Sequence, residues 1–223
     1  LERGGAIFND IDAVATVDSC RIAGNLTGTR GGGIFNNDDS TLTLTNTLLA
    51  DNRADVHGGA LNNKNCDVLI VGCTIADNSA EFRGSGMYNY EGTQPVIVNT
   101  VIWYNTPENI GNADTSQALA SFSNISGFFG GSGNIDEAPL FANRTAANYR
   151  LSADSPCIDM GRDTSAAAFG QVTVDYDGDA RGYDGDELGA VTADGSDYDM
   201  GYDEFTGGEG EGEGEGEGEG EGE

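Results

Sequence analysis

Basic side chains are scarce in this sequence: ten lysines and arginines stand against 38 aspartates and glutamates, for a formal charge of −28. Nucleic acid and anionic lipid surfaces would be repelled, so neither is expected as a partner. Divalent cations, neutral glycans and cationic surfaces are the partner classes left open. Histidine occurs once, at His57, and the four cysteines have no metal-ligand spacing, which argues against a zinc site or a Cys-His catalytic pair. Lysine also occurs once, at Lys64, so a lyase-type base has few candidates. No apolar run reaches ~18 residues, so no segment is expected to cross a membrane as a helix. No stretch is long and periodic enough for an ordinary helix either.

Glycine is abundant at 35 residues, and it recurs in order. GGAIFND from Gly4, GGGIFNN from Gly31, GGALNNK from Gly58 and GSGMYNY from Gly84 start 27, 27 and 26 residues apart, a solenoid period. A second block follows each first one and ends at Asn25, Asn52, Asn78 and Asn105. Aligned, the copies give apolar columns Ile22, Leu49, Ile75, Ile102 and Val17, Leu44, Ile70, Ile97. A third column, Cys20, Thr47, Cys73, Thr100, is small, and Ile7, Ile34, Leu61 and Met87 fill the core behind the glycines. Strict alternation cannot put residues 17 and 20 on one face, so a bend is expected at Ser19, Asn46, Gly72 and Asn99, with asparagines hydrogen-bonding along that column. Gly5, Gly32, Gly59 and Ser85 open the first strand where a side chain would be crowded or the backbone needs positive φ. Cys20 and Cys73 fall two rungs apart, about 10 Å, beyond bridging distance, so buried free thiols are expected. The fold predicted is all-β: a right-handed parallel β-helix with an irregular C-terminal cap and a disordered tail.

GGAI and GGGI followed by an aromatic and Asn resemble the right-handed parallel β-helix repeats of secreted bacterial proteins, and are similar to polymorphic outer membrane protein repeats. The later chain resembles the choice-of-anchor Q region. Pro139, Leu140 and Phe141 match its first element; Tyr149, Leu151, Ser155, Pro156, Ile158, Asp159 and Gly161 its second. Asp175, Asp177, Gly178 and Arg181 match the third, and Asp199, Gly201 and Glu204 the last, with Cys157 and an insertion from Tyr183 to Gly195 as departures. The domain expectation is four coils over 1–110, a degenerate terminal coil over 111–152, an Asp-rich cap over 153–206 and a disordered Gly-Glu linker over 207–223. Phe122, Ile125, Phe128 and Phe129 are available to cover the open end. Residue 1 already sits at a repeat start, so the chain is expected to be the C-terminal part of a longer secreted protein, extracellular or at the cell surface in association with an outer membrane, and monomeric.

Three sets of residues are candidates for function. Arg3, Arg30, His57 and Arg83 precede the glycine blocks and form either a basic ladder for acidic sugars and sulfates or a set of cations paired with carboxylates such as Asp51, Asp55 or Asp77. Asp175, Asp177, Asp179 and Asp186 occupy offsets 1, 3, 5 and 12 of a calcium loop, with Ala180 where glycine is expected, or else accept backbone and Arg181 hydrogen bonds in turns. Asp51 and Asp77 stack one rung apart, a spacing that permits a carbohydrate-active enzyme, yet each belongs to a generic Asp-Asn turn. No convergent catalytic set emerges. The expectation is a non-catalytic secreted or cell-surface module for adhesion or for contact with polysaccharide or cell-surface glycan, with Ca²⁺ as the one cofactor considered; a polysaccharide lyase or glycoside hydrolase is the alternative.

Overall fold

The structure is a computed structural model that describes residues 3–127, 130–182 and 198–205. Its first coil shows the construction: β1 (Ile7–Asn9), β2 (Val14–Asp18), β3 (Arg21–Ala23) and β4 (Leu26–Thr27) follow one another around a single turn. Each pairs in parallel with its counterpart in the next coil, Ile7 with Ile34, Val14 with Thr41, Arg21 with Leu48 and Leu26 with Arg53. Repetition yields three five-stranded sheets and one three-stranded sheet, here numbered first to fourth after the strand of the first coil. The chain is therefore a parallel β-solenoid. A shortened fifth coil begins at Ile110–Asn112 and continues through Leu119–Ser121 and Asn124–Ile125 without a strand in the fourth sheet.

Each full coil turns where its backbone is left-handed. In the second coil these places are Gly31, Asp39, Asn46 and Asp51, and in the third Gly58, Asn65, Gly72 and Asp77. Glycine, asparagine and aspartate adopt this conformation at least cost, which accounts for their weight in the composition. The bend expected at Ser19, Asn46, Gly72 and Asn99 is one such column, with φ of 47°, 46°, 57° and 49°. The two glycines of each pair have separate duties. The first, as at Gly31 and Gly58, holds φ near 68° and 67°. The second is crowded: a Cβ on Gly59 would lie 2.5 Å from the carbonyl oxygens of Ser79 and Ser85.

The predicted columns pack into one core of Ile22, Leu49, Ile75 and Ile102 with Leu44, Ile70 and Ile97, and with Ile34, Leu61 and Met87; Val17 and Ile7 are partly buried against it. Each fully buried aliphatic side chain of this kind contributes about 1.5–3 kcal/mol. The stacked asparagine bonds, however, do not run along the Asn46 corner. They form two other ladders. In the first sheet Asn9, Asn36, Asn63, Asn89 and Asn112 pass amide hydrogen bonds from one coil to the next at 3.3, 2.7, 2.9 and 2.9 Å. After the third strand Asn25, Asn52, Asn78 and Asn105 do the same at 2.9, 3.0 and 2.9 Å. The corner asparagines are engaged by the later chain instead: Asn46 Oδ1 accepts from Arg181 Nη2 at 2.9 Å, and Asn99 Nδ2 donates to the Arg162 carbonyl at 2.7 Å. All four cysteines are free; Cys66, Cys73 and Cys157 are buried, but Cys20, expected inside, is exposed.

Residues 130–137 lie against the fifth coil. Phe122 N–H donates to the Ser132 carbonyl, Ser123 N–H to Asn134 Oδ1, and Asn124 bridges in parallel to Ile135. Ile125 is in the core, and Phe122 takes the left-handed corner position and receives the Arg162 guanidinium 5.3 Å from its ring centre. Phe128 and Phe129 lie outside the described residues. The chain then turns back along the side of the solenoid. An antiparallel pair, Phe141–Asn143 with Asn148–Leu151, sets Tyr149 against Leu48, Ala50 and Ala76. Leu151, Cys157 and Met200 cover Val101, and Val172 covers Val71 and Val98. The closing motifs thus form a flank over the outer faces of the second and third sheets.

Candidate functional site

The four residues ahead of the glycine blocks do form a ladder, because Arg3, Arg30, His57 and Arg83 are linked by consecutive parallel bridges between the fourth and first sheets. Their carboxylate partners are not those expected. Arg83 donates to Glu108 Oε1 at 3.3 Å, while Arg3 and Arg30 form no ion pair among the described residues. Their guanidinium groups stand over aromatic rings instead, Arg3 5.4 Å from the centre of Phe35 and Arg30 5.3 Å from that of Tyr90, whose hydroxyl also accepts from Arg30 Nη1 at 3.1 Å. His57 stacks on Tyr88 at 4.3 Å and meets Phe82 edge-on. Burial first, and then the charges of Arg30 and Arg83, push the imidazole below its ordinary pKa. It is a neutral ring at neutral pH.

Apart from Phe82, the aromatic partners come from the first sheet, where Phe35 and Tyr88 stand in register with Phe8, Asn62 and Gly111, and Tyr90 stands beside Lys64. The sequence signal was present in the variable third letter after each glycine pair or its equivalent, but was read only as part of the repeat. Phe8 is 46% exposed at the edge of this column. Asn62 is fully buried, and neither its amide nitrogen nor its oxygen has a hydrogen-bond partner. Arg30 belongs to the second coil and Tyr90 to the fourth, so the contact between them crosses the rung on which Asn62 stands. Cations, ring faces and an unpaired amide therefore share one face of the solenoid.

Asp51 and Asp77 do lie on adjacent rungs, with φ of 54° and 57° as turn residues. They face the flank rather than a groove. Tyr149 donates its hydroxyl to Asp77 Oδ2 at 3.0 Å and approaches Asp51 Oδ2 at 3.4 Å. Arg144 closes a two-pronged ion pair on Asp77, with its guanidinium 3.8 Å from the ring centre of Tyr104. Burial, then the neighbouring Asp77 and Asp51, raise the Tyr149 hydroxyl well above the usual tyrosine range.

Of the calcium-loop residues, Asp175 is buried, and its Oδ1 accepts the N–H groups of Asp177, Gly178 and Asp179 at 3.0, 2.9 and 2.9 Å. Its Oδ2 accepts Glu204 N–H at 3.0 Å. Asp177 is exposed and pairs with Arg150; Asp179 is exposed, and Asp186 lies outside the described residues. Among the described residues no group of three or more His, Cys, Asp or Glu side chains is arranged to hold a metal ion. Arg181 lies deeper, with Nη1 2.7 Å from Glu204 Oε1 and both Nε and Nη2 on Asn46 Oδ1 at 3.1 and 2.9 Å. This pair fastens the flank to the corner column.

Burial, against the opposing charge of Arg181, raises the Glu204 carboxyl to about 7, and burial together with Glu204 raises that of Asp199. A carboxyl whose folded pKa is raised binds its proton more tightly in the folded state. Its stabilising contribution is complete below the unfolded value near 4.5 and is lost as pH rises through about 7. The flank is accordingly expected to resist proteolysis better at pH 5.5 than at pH 8.5, a difference that Glu204→Gln should flatten. Resistance that increases steadily with pH would contradict this.

The fold defines a class, the parallel β-solenoids. Comparison with protein-family models, with curated proteins and with solved structures gave no match for this chain. The likeness to the choice-of-anchor Q region and to polymorphic outer membrane protein repeats thus rests on the motifs themselves. No helix among the described residues is long and apolar enough to cross a membrane.

Proposed function

We propose that this chain is a non-catalytic β-solenoid module, secreted or held at the cell surface, that contacts polysaccharide or cell-surface glycan through the column from Arg3 to Arg83. On this reading its closing region is of the choice-of-anchor Q kind. The observation that carries the proposal is the stacking of Arg3 and Arg30 on Phe35 and Tyr90 along a rigid sheet. Sugars present hydroxyls that accept from guanidinium groups and C–H faces that pack on aromatic rings; Phe35 is itself fully buried, so the ring surface offered on this face is that of Phe8, 46% exposed, and of the partly exposed Tyr90. A lyase or hydrolase on the same fold would draw on Asp51 and Asp77, which are engaged by Tyr149 and Arg144. Affinity electrophoresis through neutral and acidic polysaccharides, with assays for reducing and unsaturated ends, tests the reading. Retardation without released ends is expected. Absence of retardation in every gel, or release of ends that is lost in Asp51→Asn or Asp77→Asn, would overturn it.

A further inference from the structure

We propose that the depression between Arg3 and Arg30 is a subsite for an oxyanion, carboxylate or sulfate, carried on a polysaccharide; this rests on the glycan reading above and narrows its ligand to acidic chains. In a protein of charge −28, cations find carboxylates easily. Arg53, Lys64, Arg83, Arg144, Arg150 and Arg181 all have a carboxylate partner. Arg3 and Arg30 have none among the described residues; Arg21 and Arg162 have none either, but only Arg3 and Arg30 stand on adjacent rungs, their backbones joined by a parallel bridge and about 4.8 Å apart along the axis. Two guanidinium groups that lack a carboxylate and border one depression repel each other, and an anion between them relieves this.

The depression they border is about 300 Å³, with Thr29 and Val56 completing its lining. That volume accommodates more than a single oxyanion and leaves room for part of the ring that bears it. Thr29 Oγ1 is buried and makes no hydrogen bond, so one hydroxyl donor is unused beside two forked donors. The ladder continues past the depression through His57 to Arg83. A linear glycan laid along the axis would set one charge between Arg3 and Arg30 and then pass the uncharged His57 ring before reaching Arg83, whose charge Glu108 already meets. At physiological ionic strength charges farther than about 8 Å are largely screened, so the acidity of the whole chain does not forbid a local anion site.

The test uses the intact protein and four probes: polygalacturonate for carboxylate, dextran sulfate for sulfate, unmodified dextran as the neutral control, and sodium sulfate as the free ion. Affinity is measured by electrophoretic retardation and calorimetry for the wild type, Arg3→Gln, Arg30→Gln, and Arg53→Gln as an exposed control, with melting curves to confirm folding. The expected result is binding to at least one charged polymer, weakened about tenfold by each of Arg3→Gln and Arg30→Gln and unchanged by Arg53→Gln. Equal retardation by dextran, unaffected by Arg30→Gln, would overturn the anion subsite while leaving glycan contact standing. Failure to bind any polysaccharide would remove both. Equal loss in Arg53→Gln would reduce the effect to unspecific attraction, and competition by sodium sulfate at the same anion concentration as dextran sulfate would make the site one for the free ion.

Discussion

Arg181→Ala is expected to release the flank from the solenoid while the coils stay folded, at a cost of about 3–5 kcal/mol, the range for removing one partner of a buried ion pair. Arg181 and Glu204 are both without exposed side-chain surface, and the guanidinium also donates to Asn46 Oδ1 and to the Gly201 carbonyl at 2.9 Å. Truncation leaves Glu204 buried beside Asp175 and Asp199 with no cation among them, and deprives the Asn46 corner of its outer partner. Lysine restores the charge but cannot reproduce the fork, so Arg181→Lys should recover part of the loss. Gly72→Ala should act through the same contact, because a Cβ there would lie 2.6 Å from Arg181 Nη2. Limited proteolysis should show new cleavage within 138–182, with the strand signal in far-UV circular dichroism retained. A loss under about 1 kcal/mol with an unchanged cleavage pattern would show that the apolar contacts of Tyr149, Met200 and Val172 hold the flank by themselves.

Asn78→Ala is expected to cost about 3–5 kcal/mol, and Asn62→Ala nothing or slightly less than nothing, although both asparagines are almost wholly buried. Asn78 Oδ1 accepts both the backbone and the side-chain N–H of Asn52, at 2.9 and 3.0 Å, and its amide nitrogen donates to Asn105 Oδ1 and to the carbonyls of Leu49 and Ala76. Removing it strands several buried groups at about 1–3 kcal/mol each, less what relaxation recovers. Asn62 has no partner to strand. Asn78→Asp separates hydrogen bonding from volume: a buried carboxylate facing acceptors should be at least as damaging near neutral pH and partly recover in acid. Chemical denaturation of the three variants decides the matter, and similar losses for Asn62→Ala and Asn78→Ala would mean that volume, not the ladder, is what counts.

The coils were legible because a solenoid repeats each physical demand at a fixed interval. Ile22, Leu49, Ile75 and Ile102 could be assigned to the core together, and the break in alternation between Val17 and Cys20 located a left-handed corner. The ladders were misplaced because asparagine suits both a bent backbone and a stacked amide, and the sequence does not say which use applies at Asn46 and which at Asn52. The flank was hidden for a different reason. Its docking face is made by outward residues that lose their charge after the first coil and become largely apolar, Arg21 giving way to Leu48, Thr74 and Val101, and Asp18 to Thr45, Val71 and Val98. That drift along a column is the signal that a partner covers the later coils. The basic ladder was visible as spacing, but its aromatic neighbours depend on side chains reaching across rungs, as Arg30 does to Tyr90, and no single repeat contains that contact.

Hydrogen exchange of the intact protein with and without polygalacturonate tests most directly whether the ladder face is the one that meets glycan. Added protection confined to peptides spanning 3–9, 29–36, 56–63 and 83–90, with the flank at 141–151 and 198–205 unchanged, is the predicted result. Protection centred on Asp51, Asp77 and Tyr149, with the ladder unaffected, would contradict it.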